Sequence, residues 1–94
     1  MGAMADGIER NIRHGLQPLR LEIVDESHKH AGHAGARAGG ESHFRILVVA
    51  GAFENRSRIQ RQQMVYALLK EQFDQGLHAL AMTTLTPSED VVRS

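Results

Sequence analysis

Between Ser27 and Ser42 the chain carries three His, one Lys, one Arg and one Glu among Gly, Ala and Ser, and no large apolar side chain. In a protein of 94 residues this is a severe constraint. The stretch has nothing to bury, so a hydrophobic core must be assembled from the two blocks that flank it. Such a length allows one domain at most. A connection this long in so small a domain is expected to be a long, mobile loop, of the kind that is usually functional or disordered.

The first block opens with Asp6 and Glu9, spaced as a capping box. Ile8, Ile12 and Leu16 recur every fourth residue, which predicts an amphipathic helix of about three turns. Gly15 weakens its end and Pro18 stops it. Met1-Gly2-Ala3-Met4 resembles an added leader ahead of a native Met4, so residues 1–4 are set outside the domain. Residues 19–26 alternate, with Leu19, Leu21 and Ile23 on one face and Arg20, Glu22 and Val24 on the other, as in a half-buried strand.

The second block starts with another alternation, from His43 to Ala50. Phe44, Ile46 and Val48 point one way, and His43, Arg45, Leu47 and Val49 the other. Gly51-Ala52 breaks it. Ser57 with Gln60 is a second capping box, and Ile59, Val65, Tyr66, Leu69 and Phe73 are expected to line one face of a helix running to about Asp74. Gly76 fits its stop. Residues 78–85 read as a third strand ended by Pro87, which leaves a domain over 5–86 and a tail over 87–94, either a short helix or disordered.

The element order is therefore α-β-β-α-β, an α+β fold. Each element has one apolar side to bury, which predicts a three-stranded mixed sheet with both helices on one face. The first two strands, joined by a loop, should pair antiparallel. The second strand, helix and third strand form a βαβ unit, so the third strand should run parallel to the second. Strand one then finishes, and strands two and three start, at one end of the sheet. The His-rich loop, His43 and His78 are expected there together.

Composition narrows the chemistry. Lys plus Arg and Asp plus Glu are 11 each, a formal net charge of zero, which argues against a strongly basic nucleic-acid binder. The six His can shift that charge by several units between about pH 7 and pH 5.5. There is no Cys, so disulfides, Cys-based zinc sites and thiol nucleophiles are excluded, and a soft metal would need sulfur from a partner. No apolar run approaches the roughly 18–20 residues of a membrane span. Cytoplasmic placement is the expectation, with the mitochondrial matrix as the alternative in a eukaryote. No nucleophile–base pair, phosphate-binding Gly motif or paired-carboxylate motif stands out, so an enzyme is not expected.

Three stretches resemble the BolA family. They are Asp25-Glu26-Ser27-His28-Lys29-His30-Ala31-Gly32-His33, then Glu41-Ser42-His43-Phe44 with Arg45 to Val49 and Phe53-Glu54, then Gly76-Leu77-His78-Ala79-Leu80-Ala81 with Thr86-Pro87. Arg61, Met64, Val65 and Tyr66 match a further helical motif in part, with Gln62 and Gln63 where the family is more basic. The resemblance spans nearly all of residues 8–90. It implies a domain similar to class II KH domains and an iron–sulfur adaptor that pairs with a monothiol glutaredoxin bearing a Cys-Gly-Phe-Ser motif. The pair would share a [2Fe–2S] cluster, with thiolates from the glutaredoxin and from glutathione, and none would be bound by the isolated chain, a monomer or weak homodimer when alone. By position the resemblance implies His30 and His78 as ligands. Imidazole in place of thiolate makes a cluster less anionic and easier to reduce, and makes its ligation sensitive to pH.

Other readings of the same residues stay open at this point. His78 could be a polar residue at a strand start. His33 and then His28 are alternatives to His30, and a His-x-His-x-x-His loop can also take zinc or nickel adventitiously. His43 is expected to cap the strand or bond the loop backbone. Arg56, Arg58 and Arg61 could be a solvated helix face, a contact for glutaredoxin or glutathione carboxylates, or a grip on nucleic-acid phosphates. The last possibility makes a nucleic-acid-binding transcriptional regulator the alternative function.

Overall fold

Among the described residues every strand pairing runs through β2 (His43–Val49). The structure, a computed structural model, describes residues 2–26 and 42–93, so the loop expected after Glu26 lies outside the described residues up to Glu41. β1 (Arg20–Asp25) is antiparallel to β2, with Leu21 opposite Val48 and Ile23 opposite Ile46. β3 (Ala79–Leu85) is parallel to it, with Leu80 beside Phe44 and Met82 beside Ile46. This is the mixed three-stranded sheet, in the order β1-β2-β3, that the element order predicts. Because side chains alternate along a strand, the registers put Leu21, Ile23, Phe44, Ile46, Val48 and Met82 on one face.

Helices cover that face. α1 (Ala3–Leu16) contributes Ile8, Ile12 and Leu16; α2 (Arg58–Leu68) contributes Val65; Leu69 follows at the junction with α3 (Lys70–Asp74). All are buried in one cluster with Phe44, Ile46, Val48 and Phe53. Full burial of such a side chain contributes on the order of 1.5–3 kcal/mol. The Ser57–Gln60 capping box forms as its spacing predicts: the Gln60 amide donates to Ser57 Oγ at 3.1 Å and the Ser57 amide donates to Gln60 Oε1 at 2.9 Å.

Four expectations are corrected. α1 starts at Ala3 with Gly2 as its N-cap, so Asp6 lies in the first turn rather than at a cap, and its charge favours the positive end of the helix dipole. Met4, set outside the domain by its place in the sequence, is buried in the core. Leu19 is 75% exposed, because the strand begins at Arg20 and only the Leu19 amide, donated to the Val49 carbonyl at 2.8 Å, continues the ladder. Ile59 and Tyr66 are 67% and 45% exposed. The buried stripe of the second helix runs through Val65, Leu69 and Gln72, and Tyr66 lies one position round from it, with Ile59 seven residues earlier on the same outward side.

Gln72 is a buried amide, and α1 satisfies it. Asn11 Nδ2 donates to Gln72 Oε1 at 3.0 Å and to the Leu68 carbonyl at 3.1 Å, across the place where α2 gives way to α3 at Leu69 (φ −108°, ψ 14°). Gly15 marks a close approach in the same seam, since a Cβ there would stand 2.4 Å from Leu68 Cδ2. The tail forms α4 (Pro87–Arg93), started by a second capping box. The Thr86 amide donates to Glu89 Oε1 at 2.8 Å, and the Glu89 amide to Thr86 Oγ1 at 3.3 Å. Asn11→Ala is expected to lower stability by about 1–2 kcal/mol in urea unfolding, because a buried acceptor loses its donor. An unchanged midpoint would mean that the seam is held by apolar packing alone.

Candidate functional site

One carbonyl ties the start of β3 to the start of β2. The His78 amide donates to the Ser42 carbonyl at 2.7 Å, and the Ala79 amide donates to the same oxygen at 3.1 Å. Ser42 is fully buried, and its Oγ shares a 2.8 Å hydrogen bond with Nδ1 of His43. His43, only 7% exposed, lies beside Ala79 in the register. The exposed ring of His78 rests against it, with centroids 5.2 Å apart and planes inclined at 52°. Glu26 donates its amide to the His43 carbonyl at 2.8 Å.

The two residues that bracket the 27–41 segment, Glu26 and Ser42, therefore meet at the end of the sheet that carries His78. The topology argument from sequence required this. His28, His30 and His33 lie outside the described residues. The ring contact between His43 and His78 was missed, although the pairing of strand two with strand three could have signalled it. Chemically this end offers an exposed imidazole backed by a buried one. Among the described residues no group of three or more His, Cys, Asp or Glu could hold a metal ion. With no Cys in the chain, a thiophilic metal or cluster could take nitrogen ligands here and would need its sulfur from another molecule.

The three arginines lie at the opposite end, where α2 begins after β2 has ended. Arg61 is committed to the fold. Its Nε donates to the Arg56 carbonyl at 3.0 Å, its Nη1 donates to the Thr84 carbonyl at 3.1 Å and to Glu89 Oε1 at 2.7 Å, and its guanidinium lies 5.9 Å from the Phe53 ring centroid. Arg56 and Arg58 are exposed and make no ion pair among the described residues. On the sheet face away from α1 and α2, Val24 is exposed and Leu47 half-buried, whereas Val49 is 2% exposed between its register partners Arg20 and Leu85. The ion pair of Arg20 with Asp90, at 2.6 Å, spans that side from β1 to α4. No helix among the described residues is long and apolar enough to cross a membrane.

The model of the family described as BolA-like protein matches residues 12–89. "Protein BOLA1, chloroplastic" of Arabidopsis thaliana is 41% identical over 87 residues, covering 90% of this chain and 54% of that protein, so the chain spans about half the length of this relative. The Escherichia coli (strain K12) protein named "DNA-binding transcriptional regulator BolA" is 39% identical over 82 residues, covering 87% of this chain and 74% of that one. The solved structure of BolA1 from Arabidopsis thaliana superposes with a TM-score of 0.84 at 40% identity, covering 95% of this chain and 97% of that one.

The arginine end has its own pH signature. The Arg61 guanidinium, and after it the Thr86 amide, hold the Glu89 carboxyl down at about 2 from an ordinary 4.5. A carboxylate depressed in the folded state stabilises above its ordinary value and loses that contribution as pH falls from about 4.5 towards 2. Glu89→Gln is expected to lower the thermal midpoint at neutral pH and to flatten its decline across that window. Parallel melting curves of the two proteins from pH 7 to pH 2 check this. A decline of equal steepness in both would exclude the Arg61–Glu89 pair as a source of acid sensitivity.

Proposed function

The chain belongs to the BolA-like family, and on that premise we propose that it is an adaptor that pairs with a monothiol glutaredoxin and contributes imidazole ligands to a shared [2Fe–2S] cluster. The observation that supports this reading is the exposed ring of His78, fixed through its backbone at the sheet end where the 27–41 segment begins and ends. His30 is the second ligand in this reading, with His33 and then His28 as alternates. Four residues beyond Glu26, His30 is within about 14 Å of it by covalent reach alone. When bound, the cluster supplies a transferable, electron-accepting iron–sulfur unit. The chain supplies nitrogen only, so the glutaredoxin Cys and glutathione complete the site with thiolate.

His78 suits this duty because its backbone is held by Ser42 while its ring stays open to solvent. His43 backs the ring from the sheet side. In this reading the chain is a binding module rather than an enzyme, working in a reducing compartment where free thiolates persist, the cytoplasm first. Mixing it with a cluster-loaded monothiol glutaredoxin is expected to change the visible absorption and circular dichroism of the cluster. His78→Ala should abolish that change while leaving the far-UV spectrum intact. The proposal fails if no complex forms at micromolar concentration, or if the variant reproduces the wild-type spectrum.

A second reading, a nucleic-acid-binding regulator, is favoured by the name of the Escherichia coli relative, "DNA-binding transcriptional regulator BolA", and by Arg56 and Arg58, which are exposed and make no ion pair among the described residues. It predicts salt-dependent DNA binding whose log–log slope falls by about 2 in the Arg56→Ala, Arg58→Ala double variant. That binding would be indifferent to His78→Ala. Arg61 is unsuitable as a probe, since its loss would break contacts of the fold.

A further inference from the structure

α1 and α2 lie side by side over the sheet, α1 against β1 and α2 against β3. Asn11 and Gly15 of α1 meet Leu68 and Gln72. Tyr66 is two residues from Leu68, about 200° round a helix, so it lies on the flank away from α1. Ile59 stands two turns before it and Phe73 two turns after it, on that same flank. The Tyr66 ring leans on the half-buried Phe73 ring, with centroids 5.7 Å apart and planes inclined at 50°, which carries the apolar stripe across the junction of α2 with α3. Ile59 and Tyr66 are left exposed. β3 is an edge strand, so this flank of α2 borders solvent.

The charge around the stripe is of one sign. Between Glu54 and Glu71 the chain has four basic side chains, Arg56, Arg58, Arg61 and Lys70, and no acidic one, although its charges in total balance at 11 each. Arg61 is paired with Glu89. Arg56, Arg58 and Lys70 are exposed and make no ion pair among the described residues. Arg58 lines an open groove of about 570 Å³ between the start of α2 and Met82 to Leu85 of β3. Arg58 adjoins Ile59, and Lys70 lies one turn beyond Tyr66, so a cation stands at each end of the exposed apolar pair.

We infer that this flank of α2 is a docking surface for an acidic segment of a protein partner, whose carboxylates meet Arg58 and Lys70 and whose apolar side chains cover Ile59 and Tyr66. The unpaired cations set the sign of the partner. The apolar pair sets its class. Ile59 has no ring to stack on a base and no donor for a phosphate, and it gains only by burial against apolar side chains. Tyr and Arg are the residue types that most often carry the binding energy of protein interfaces. Ile59 and Tyr66 stand about 10 Å apart along the helix axis, the rise of two turns, so a partner helix can lay its own i and i+7 side chains beside them. The surface uses neither imidazole of the other sheet end and goes beyond the iron–sulfur reading.

The probe is a synthetic peptide of Leu and Glu, about 15 residues long, with Leu at helical spacing. Titrated into the isotope-labelled full chain, it is expected to shift the backbone amides of α2 and α3 in the NMR spectrum, and to bind several-fold more weakly when salt rises from about 20 mM to about 200 mM. Ile59→Ser with Tyr66→Ser should weaken binding about tenfold, and Arg58→Glu with Lys70→Glu about tenfold. All four side chains are exposed, and far-UV circular dichroism verifies that both double variants fold. The same peptide with Lys in place of Glu, and a single-stranded DNA of similar length, serve as comparisons. Absence of binding at millimolar peptide, shifts confined to residues outside α2 and α3, equal binding of the Lys peptide, or unchanged affinity in the serine variant would each overturn the inference. Tighter binding of the DNA at the same residues would overturn it in favour of the nucleic-acid reading. No glutaredoxin is present and His78 is unaltered, so every one of these results leaves the iron–sulfur reading as it stands.

Discussion

The carbonyl of Ser42 accepts two amides at once, those of His78 and Ala79, and the layout of the whole imidazole end follows from that. β2 is the central strand, and Ser42 is the residue through which the chain enters it from the 27–41 segment. Joining β3 at this oxygen starts both strands at one level of the sheet. The Ser42 side chain then serves His43 while its backbone serves His78. One small buried residue therefore sets two imidazoles side by side and leaves one of them facing solvent. Ser42 is fully buried, so a bulkier residue here would meet its neighbours, and a residue without a hydroxyl would take away the 2.8 Å hydrogen bond to His43 Nδ1.

The direction of the strands then separates the chemistry of the two ends. At the far end the guanidinium of Arg61 satisfies three acceptors, the Arg56 carbonyl, the Thr84 carbonyl and the Glu89 carboxylate, above the Phe53 ring. This side chain is only 13% exposed, and the oxygens that its donors meet offset the cost of burying it. It couples the start of α2, the last part of β3 and the first turn of α4, three elements with no other shared partner among those bonds. Arg56 and Arg58, nearby in sequence, carry no such load. Residues of one type in one short stretch thus divide into a structural cation and two that make no ion pair among the described residues, and it is these two that are exposed at that end.

Much of this was legible in the sequence wherever one physical rule acted alone. The every-fourth spacing of Ile8, Ile12 and Leu16, the alternation from Phe44 to Val48, and the Ser57–Gln60 box each reported a single local constraint, and each element formed as expected. The placement of His78 beside the ends of the 27–41 segment followed from chain connectivity, which is why it could be reasoned without coordinates. The misses came where tertiary packing decided. Ile59 and Tyr66 are apolar enough for a core, but the seam with α1, fixed by Asn11, Gln72 and the missing side chain of Gly15, rotates the second helix so that they face outward. Met4 falls with residues set outside the domain because Met1-Gly2-Ala3-Met4 resembles an added leader ahead of a native Met4, and its place in the core cluster is a tertiary fact that this resemblance does not carry. Thr86-Pro87-Ser88-Glu89 is a different case. The box was there to read, with Pro at the first helical position, and it would have promised α4 outright.

In the proposed reading, a chain without thiolate that exposes one imidazole from a rigid strand start supplies only the nitrogen side of a soft-metal site, and the sulfur side arrives with another molecule. On that reading the His78 amide is already fixed by the Ser42 carbonyl and its ring is already backed by His43, so this part of the site is preorganised and none of a partner's binding energy goes into ordering it.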